Sequence, residues 1–480
     1  MLLFHTFVGY NLWPVNTMKK LVLINPRSRY RIGFLVDRES KYPPLALGII
    51  AALTPDDWEI KLIDENFDDF IFEDADLVGI TAITSSVNRA YEIAKEYTSR
   101  KIPVVLGGIH ASSLPEEAEE YVDVVASGEA ESMWPEIIND FNKGQLKKKY
   151  FGKLLPMDDF PAPRHDLFHK DYMVGSIQTT RGCPLKCDFC SVHSFNGQAY
   201  RARPVEKVLD ELESMTTDRL FIIDDNIVGY NKKAREHAKS IFRGMIERGM
   251  KKDIFCQASI NFAEDEELME LASKAGVRLV AIGIESEKTD ALKNINKRSN
   301  LKVGVDNYQR IFTKIQKHGI AILGTFIFGL DTDSVQDIRN RVNYIINSNI
   351  DSIQVTILTP FPGTKTYRQF LEEDRITATN YPKDWEKYFG GNIVIRPKKM
   401  TAEELDEAHK EGNEKLYFRK RLMKSMLRTL KTTKNANTAL WAFSANAHYH
   451  NMAFETQPER HIKLNEIFGG ITPEYNEQKE

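Results

Sequence analysis

Four cysteines in 480 residues are too few to staple a fold, which sets aside the disulfide-framed secreted domains. No uninterrupted apolar run approaches the ~18–20 residues of a membrane span; the longest, Ile320–Leu330, is broken by Gly324 and Gly329. Neither sign of charge dominates. With 65 basic and 68 acidic residues the formal charge is -3, so nothing points to nucleic acid as a partner. The first 17 residues carry no lysine or arginine, whereas a signal peptide wants positive charge ahead of its apolar stretch. Residues 1–17 therefore read as an extension, with Met18-Lys19-Lys20 standing just before a first strand. Internal repeats and low-complexity tracts are also missing. What remains is an ordinary globular composition, 42% apolar and 28% charged, long enough for about two to four domains.

From Lys20 onward, short β-branched runs alternate with amphipathic stretches. Strands are expected at Leu21–Asn25, Glu59–Ile63, Leu77–Thr81, Val104–Leu106 and Val122–Ala126. This alternation predicts an α/β fold with a parallel, flavodoxin-like (Rossmann-type) sheet over residues 18–143, with ligands beyond its C-terminal strand ends. Residues 144–173, with Pro156, Pro161 and Pro163, read as an irregular linker. A second α/β pattern fills 174–395, with six strand–helix units. That makes a partial (β/α)6 barrel, two units short of a closed one. Residues 396–480 read as a helical, basic C-terminal domain. Between Glu414 and Lys434 stand eight lysines or arginines and one acid, and Phe418, Leu422, Met426 and Leu430 recur every four residues. This is an amphipathic basic helix. It suits an anionic membrane surface, giving possible peripheral membrane contact, or equally a domain helix with a solvated basic face.

Three of the four cysteines fall within eight residues, in TTRGCPLKCDFCSVHSFNG. Cys183, Cys187 and Cys190 are spaced C-x3-C-x2-C on a loop after a predicted strand. Three thiolates fill three iron positions of a 4Fe–4S cluster and leave the fourth open. His193 offers a rival Cys3His zinc set. Cys256, inside a predicted strand, reads as a buried apolar thiol. Such a cluster implies a reducing, cytoplasmic setting.

The spacing, with the aromatic Phe189 before the third cysteine, resembles the signature of the radical S-adenosylmethionine (radical SAM) superfamily. That resemblance implies a 4Fe–4S cluster whose open iron binds S-adenosylmethionine (SAM), and an electron donor such as flavodoxin or ferredoxin. It also implies SAM contacts from Phe189, from Asp225 in FIIDDN, from Gln257 and Ser259 in CQASI, from Glu285 and Ser286 in AIGIES, and from Gly329 in TFIFG. A strand-end glutamate suits a ribose diol. If Glu285 is structural instead, it should pair with a cation such as Lys297 or Arg298.

A flavodoxin-like domain ahead of such a barrel is similar to the cobalamin-binding, class B radical SAM enzymes. The matching pieces are YPPLALGIIAAL, DLVGITAITSS, VVLGGIHAS and SGEAE. The resemblance implies cobalamin contacts from Thr81, Thr84, Ser85, Gly107, Gly108, His110, Gly128 and Glu129. It departs in one place: Asn66 stands where many cobalamin proteins carry an axial histidine, so no histidine from that loop reaches cobalt. The segments PFPGTKTY and DDNIVGYNKKA are similar to the branch that includes hopanoid-methylating enzymes. The activity implied is methylation of an unactivated carbon of a hydrophobic, lipid or isoprenoid-like substrate. It would use a 5′-deoxyadenosyl radical and methylcobalamin. The alternative is a non-methylating radical reaction such as cyclisation, ring contraction or carbon–carbon coupling.

Overall fold

The computed structural model describes residues 18–28 and 41–464; the expected extension at 1–17 lies outside them. The first sheet contains β1 (Lys19–Asn25), β2 (Trp58–Asp64), β3 (Leu77–Thr81), β4 (Val104–Gly107), β5 (Val124–Ser127) and β6 (Lys149–Phe151), in the order β2-β1-β3-β4-β5-β6. All its pairings are parallel. The five expected strands are present in the flavodoxin-like order. The sixth corrects the reading of 144–173 as an irregular linker. Lys149–Phe151 pairs with β5 because its backbone, just past the turn after helix Trp134–Asn142, meets an open sheet edge. Alternate residues of β1 face opposite sides: Val22 and Ile24 join one apolar cluster, Leu21 and Leu23 another.

The second sheet adds β7 (Gly175–Ile177), then β10 (Arg219–Ile222), β11 (Asp253–Ala258), β12 (Val277–Glu285), β13 (Ala321–Phe328) and β14 (Ser352–Ile357), consecutive and parallel. It is the expected six-stranded partial barrel. A two-stranded antiparallel hairpin, β8 (Thr180–Arg181) and β9 (Arg201–Ala202), leaves its first unit. The loop joining these two short strands carries the three cysteines.

The two sheets share a core. One cluster runs from Val22, Tyr91 and Tyr97 to Ile327, Trp385, Tyr388 and Val394. Glu117 sits in the same seam and accepts hydrogen bonds from Tyr91 (3.0 Å) and from the Trp385 indole (2.8 Å).

The C-terminal helices differ from the separate domain expected for 396–480. Strand alternation sends Val280, Ile282 and Ile284 outward to the barrel helices, and Leu279 and Ala281 to the opposite, inner face. The helix Ala436–Ala453 lies against that inner face. Its Ala442 packs with Leu279, Ala281, Ala321 and Leu323, with Phe255, Trp441, Ala445 and Tyr449 alongside. The Ser352 hydroxyl donates to the Ala442 carbonyl at 2.6 Å. The helix is thus the floor of the barrel. Because it is buried on more than one side, its sequence lacks a clean apolar stripe. Ala442→Asp would bury an unpaired carboxylate in this floor, and a loss of about 3 kcal/mol or more in unfolding free energy is expected. Denaturant unfolding measures it; unchanged stability would disprove the inward placement.

Candidate functional site

The cysteine loop begins at Gly182 and is tied at both ends by Asp225, just beyond β10. Its carboxylate accepts from the Gly182 backbone N–H (3.2 Å) and from the Asn196 amide (2.9 Å). Asp225 thus shapes the loop. Burial pushes the three thiols up, Cys183 to about 11 and Cys190 to about 12, with Cys187 raised as well. A protein with three such thiols in one loop holds them protonated until a cationic group draws them into ionised form. Among the described residues no three His, Cys, Asp or Glu side chains are grouped as the ligands of a single metal ion would be. A cubane spreads its thiolates over three different irons, so its ligands stand farther apart than those of one ion, and this donor set fits it. Cys256 is fully buried in the core on the outward face of β11, as expected.

Beside the cysteines lies a buried ion pair. Lys297 Nζ donates to Glu285 Oε1 at 2.6 Å, with both side chains almost excluded from solvent. Burial alone would lower the lysine pKa; the Glu285 carboxylate outweighs it and holds Lys297 above its ordinary value. The ammonium also stands 5.8 Å from the Phe189 ring centroid. Glu285 follows a register shift between β12 and β13 and has φ +61°, a left-handed conformation that costs a non-glycine residue about 1 kcal/mol or more. Asn300 stabilises the bulge by donating to the carbonyls of Gly283 (3.0 Å) and Ile284 (3.3 Å). Gly283 leaves room for the pair: a Cβ there would stand 2.4 Å from Glu285 Oε1 and 2.5 Å from Lys297 Nζ. The cation expected for a structural glutamate is therefore present. Glu285 Oε2 accepts no hydrogen bond from a described residue.

The remaining candidates divide. Gln257 is half-buried on the inner face of β11 and approaches the Asp224 carbonyl at 3.5 Å. The Ser259 backbone N–H donates to Asn226 at 3.2 Å, which places its side chain at the strand end. Ser286 is removed from the site. Its fully buried hydroxyl accepts from Arg341 (2.9 Å), a guanidinium that also holds Asp333 and Glu287. Gly329 lies against Leu405 of helix Ala402–Leu416, a packing position.

At the first sheet, a cavity of about 1040 Å³, counting its open mouth, is lined by Thr81, Gly107, Gly108, Gly128 and Glu129. Gln178, Arg181, Phe195 and Asn196 close it from the barrel side. Apolar residues such as Leu47, Ile49 and Trp134 carry it down one face of the sheet beside helix Leu45–Leu53. A mostly apolar cleft with a polar mouth fits the flat nucleotide tail of a cobalamin. Gly108 has its own reason: φ is +95° and a Cβ would stand 2.6 Å from the Ala82 carbonyl oxygen. Three expected contacts do not line the cavity. Thr84 and Ser85 are buried in the turn after β3, where Ser28 donates to the Ser85 hydroxyl at 3.2 Å. His110 is fully buried and paired with Glu117 at 3.2 Å, in the seam with Trp385; its strand end turns into the inter-sheet core. Asn66 donates to the Tyr172 hydroxyl at 2.8 Å and is likewise away from the cavity.

Sequence reasoning named Glu129 as a cobalamin contact but missed the ion pairs that join the two cofactor regions. Glu129 accepts from Arg201 at 2.5 and 2.7 Å, and Glu131 from Arg181 at 2.7 and 3.1 Å. Both arginines belong to the hairpin that brackets the cysteine loop. The available signal was SGEAE facing two arginines on either side of the motif.

Each of Cys183, Cys187 and Cys190 would supply a cluster ligand for which the loop offers no second thiol. Cys187→Ala is expected to lose most bound iron after anaerobic reconstitution, whereas Cys256→Ala keeps it. Iron and sulfide analysis decides, and full iron in Cys187→Ala would remove the cluster assignment.

Comparison with known proteins agrees with this geometry. The profile of the Radical SAM superfamily matches residues 177–345, and that of the B12 binding domain residues 32–138. The chain is 32% identical over 424 residues to bacteriochlorophyllide d C-12(1)-methyltransferase of Chlorobaculum tepidum, covering 85% of this chain and 89% of the relative. It is 26% identical to hopanoid C-2 methylase of Rhodopseudomonas palustris, over 75% of this chain and 71% of that one. Among solved structures, the cobalamin-dependent SAM radical enzyme OxsB, with aqua-cobalamin and SAM bound, matches in fold with a TM-score of 0.67. That overlap covers 94% of this chain and 74% of the other at 14% identity. Three thiols on a barrel-edge loop, a cleft at the facing Rossmann-type sheet and these relatives together place the chain in the cobalamin-dependent radical SAM methyltransferases.

Proposed function

We propose that this enzyme methylates an unactivated carbon of a hydrophobic, ring-bearing substrate, lipid or tetrapyrrole in kind. The observation that carries the reading is the inner face of the barrel. Phe221 and Phe255 stack there at 4.7 Å, and the floor helix adds Trp441 and Tyr449. Burial pushes His448, on the same helix, down to about 4 and Tyr449 up, so the floor is uncharged at neutral pH. Above it Gln257, Thr325, Gln354 and Thr356 give a half-buried polar rim. An apolar floor under a sparse polar rim binds a flat apolar body and orients it by a few hydrogen bonds. Relatives named for bacteriochlorophyllide d and for hopanoids support the same class.

When bound, the cluster, SAM and cobalamin supply a carbon-centred radical and a transferable methyl group, chemistry the side chains lack. The protein's part is placement. Cys183, Cys187 and Cys190 hold the cluster at the loop, and Lys297 offsets negative charge beside them. Glu285 presents Oε2 to the nucleoside. The cavity-lining residues hold cobalamin across from that loop, and the apolar floor keeps water from a reactive carbon.

Anaerobic incubation with SAM, cobalamin, a reductant and candidate apolar substrates tests the proposal. A product one methyl heavier, with 5′-deoxyadenosine, is expected. 5′-Deoxyadenosine with a product that carries no added methyl would favour cyclisation, ring contraction or carbon–carbon coupling instead.

A second surface supports access to lipid-dissolved substrate. No helix among the described residues is long and apolar enough to cross a membrane. Yet helix Arg419–Thr433 is turned unusually. Small polar residues face inward, where Ser425 and Thr429 donate to Asp351 at 2.8 and 2.6 Å. Phe418, Met423, Leu427 and Leu430 face solvent instead, with Lys420, Lys424, Lys431 and Lys434 exposed beside them. Only Leu422 of the expected apolar row is fully buried. Such a face suits an anionic bilayer surface. Co-sedimentation with phosphatidylglycerol vesicles is expected, weakened by salt and by Leu427→Glu with Leu430→Glu. Equal recovery of wild type and the double variant would refute it.

A further inference from the structure

The cavity at the first sheet and the cysteine loop share residues. Phe195 and Asn196 are part of the wall that closes the cavity from the barrel side. Phe195 ends the helical turn Val192–Phe195, which begins two residues after Cys190, and Asn196 comes next. A group seated in the cavity therefore meets the same loop that carries the three thiols.

Asn196 is where that loop closes. Its backbone N–H donates to the Val192 carbonyl at 2.7 Å, and its own carbonyl accepts from Arg201 at 3.0 Å. Its side-chain amide donates at 2.9 Å to the Asp225 oxygen that also accepts from the Gly182 N–H at 3.2 Å. The carbonyl of the next residue, Gly197, accepts from the Cys183 N–H at 3.2 Å. The turn at Asn196 thus fixes both ends of the loop, Gly182 and Cys183 at its start and the residues after Cys190 at its end. One polar atom of Asn196 is left over. The side chain is half-buried at the cavity, and its Oδ1 accepts no hydrogen bond from a described residue.

The fit of the cavity to a cobalamin gives that oxygen a partner. A corrin ring is edged with side-chain amides, and an amide N–H is the donor that an amide oxygen complements. The cluster acts on the same turn through the thiols. Three thiolates held by one cluster pin the loop in the arrangement that Asn196 closes. A loop already pinned loses less freedom when the cavity is filled, and a filled cavity holds the loop ready for the cluster.

We propose that Asn196 is a positioning residue shared by the two cofactor sites. Its Oδ1 accepts from an amide at the corrin edge while its N–H group holds Asp225, so that cobalamin and the cluster strengthen each other's binding. The inference rests on the reading that cobalamin fills the cavity and the cluster sits on the loop. It goes beyond that reading by coupling the two affinities. Linkage makes the coupling reciprocal: the factor by which the cluster tightens cobalamin is the factor by which cobalamin tightens the cluster.

The test measures equilibrium binding of methylcobalamin, anaerobically and in the dark, to the full chain with and without its reconstituted cluster. Wild type, Asn196→Ala and Thr81→Ala are compared, with Tm recorded for each. Thr81 lines the cavity at the end of β3, on the sheet side. Expected for wild type is about tenfold tighter binding when the cluster is present. In Asn196→Ala that ratio should fall towards one. In Thr81→Ala both affinities should weaken together and the ratio should stay. Asn196→Ser, which keeps a small polar group at the turn, replaces Asn196→Ala if the alanine protein does not fold. Equal affinities in the two wild-type states would overturn the coupling. A wild-type ratio with a lower Tm in the Asn196 variant would make the residue structural and overturn its role. Loss of the ratio in Thr81→Ala as well would overturn that role too, by spreading the effect over the whole cavity. If wild type holds iron but binds no methylcobalamin in either state, the reading beneath the proposal fails instead.

Discussion

The structure depends on the ion network that fastens the cysteine hairpin to the first sheet. Glu129 and Glu131 leave the end of β5; Arg181 and Arg201 sit on the two strands that flank the cysteine loop. All four side chains are nearly buried. A buried network of this kind gains little net stability over an apolar contact, because desolvation cancels much of the attraction. Its effect is on geometry. Two forked guanidiniums meeting two carboxylates admit few arrangements, and any slip leaves a buried charge unpaired. The distance between the cysteine loop and the cavity at the sheet is thereby set by four side chains, of which Glu129, Glu131 and Arg181 also line the cavity. Two groups that act on one substrate need such a fixed separation.

Glu285 and Lys297 apply the same logic inside the barrel. The pair sits on a bulged strand end in a left-handed backbone, which the chain tolerates because Asn300 satisfies the displaced carbonyls and Gly283 makes room. Sequence reading posed a choice between a ribose ligand and a partner of Lys297. The structure shows that the choice is not exclusive: one carboxylate oxygen is engaged and the other accepts no hydrogen bond from a described residue. A pre-formed pair of opposite charges can remain ordered without ligand and yet keep donors and acceptors in hand, which lowers the ordering cost when a zwitterionic ligand arrives.

Much of this was legible because it repeats. Strand–helix alternation gave both sheets and the order of the first, and the cysteine spacing gave the cluster loop, since ligands of one cluster must lie close in the chain or be recognised at a distance. What failed to show was long-range. Residues Lys149–Phe151 form a strand only because an edge is available to pair with. The helix Ala436–Ala453 gave no amphipathic stripe because the barrel's inner face and the neighbouring helices both cover it. His110, Ser286 and Gly329 occupy strand ends, the right places by topology. Their side chains or backbones answer instead to Glu117, Arg341 and Leu405, partners that no local pattern names. A strand-end position is thus a weak guide to a ligand, and the better guide is whether the protein itself has already used the polar group.

That criterion separates the candidates further. The Ser286 hydroxyl already accepts from Arg341 and from the Lys288 N–H, so a ligand would have to displace them; Asp225 spends only Oδ2, on Gly182 and Asn196, and its Oδ1 accepts none from a described residue. Thr84 and Ser85 are sealed in a turn. Glu285 has engaged one carboxylate oxygen, with Lys297, and its Oε2 accepts no hydrogen bond from a described residue. Natural folds pair nearly all their buried polar atoms, so an acceptor left open beside three cysteines and a buried lysine is one to which a ligand can add hydrogen bonds without breaking any.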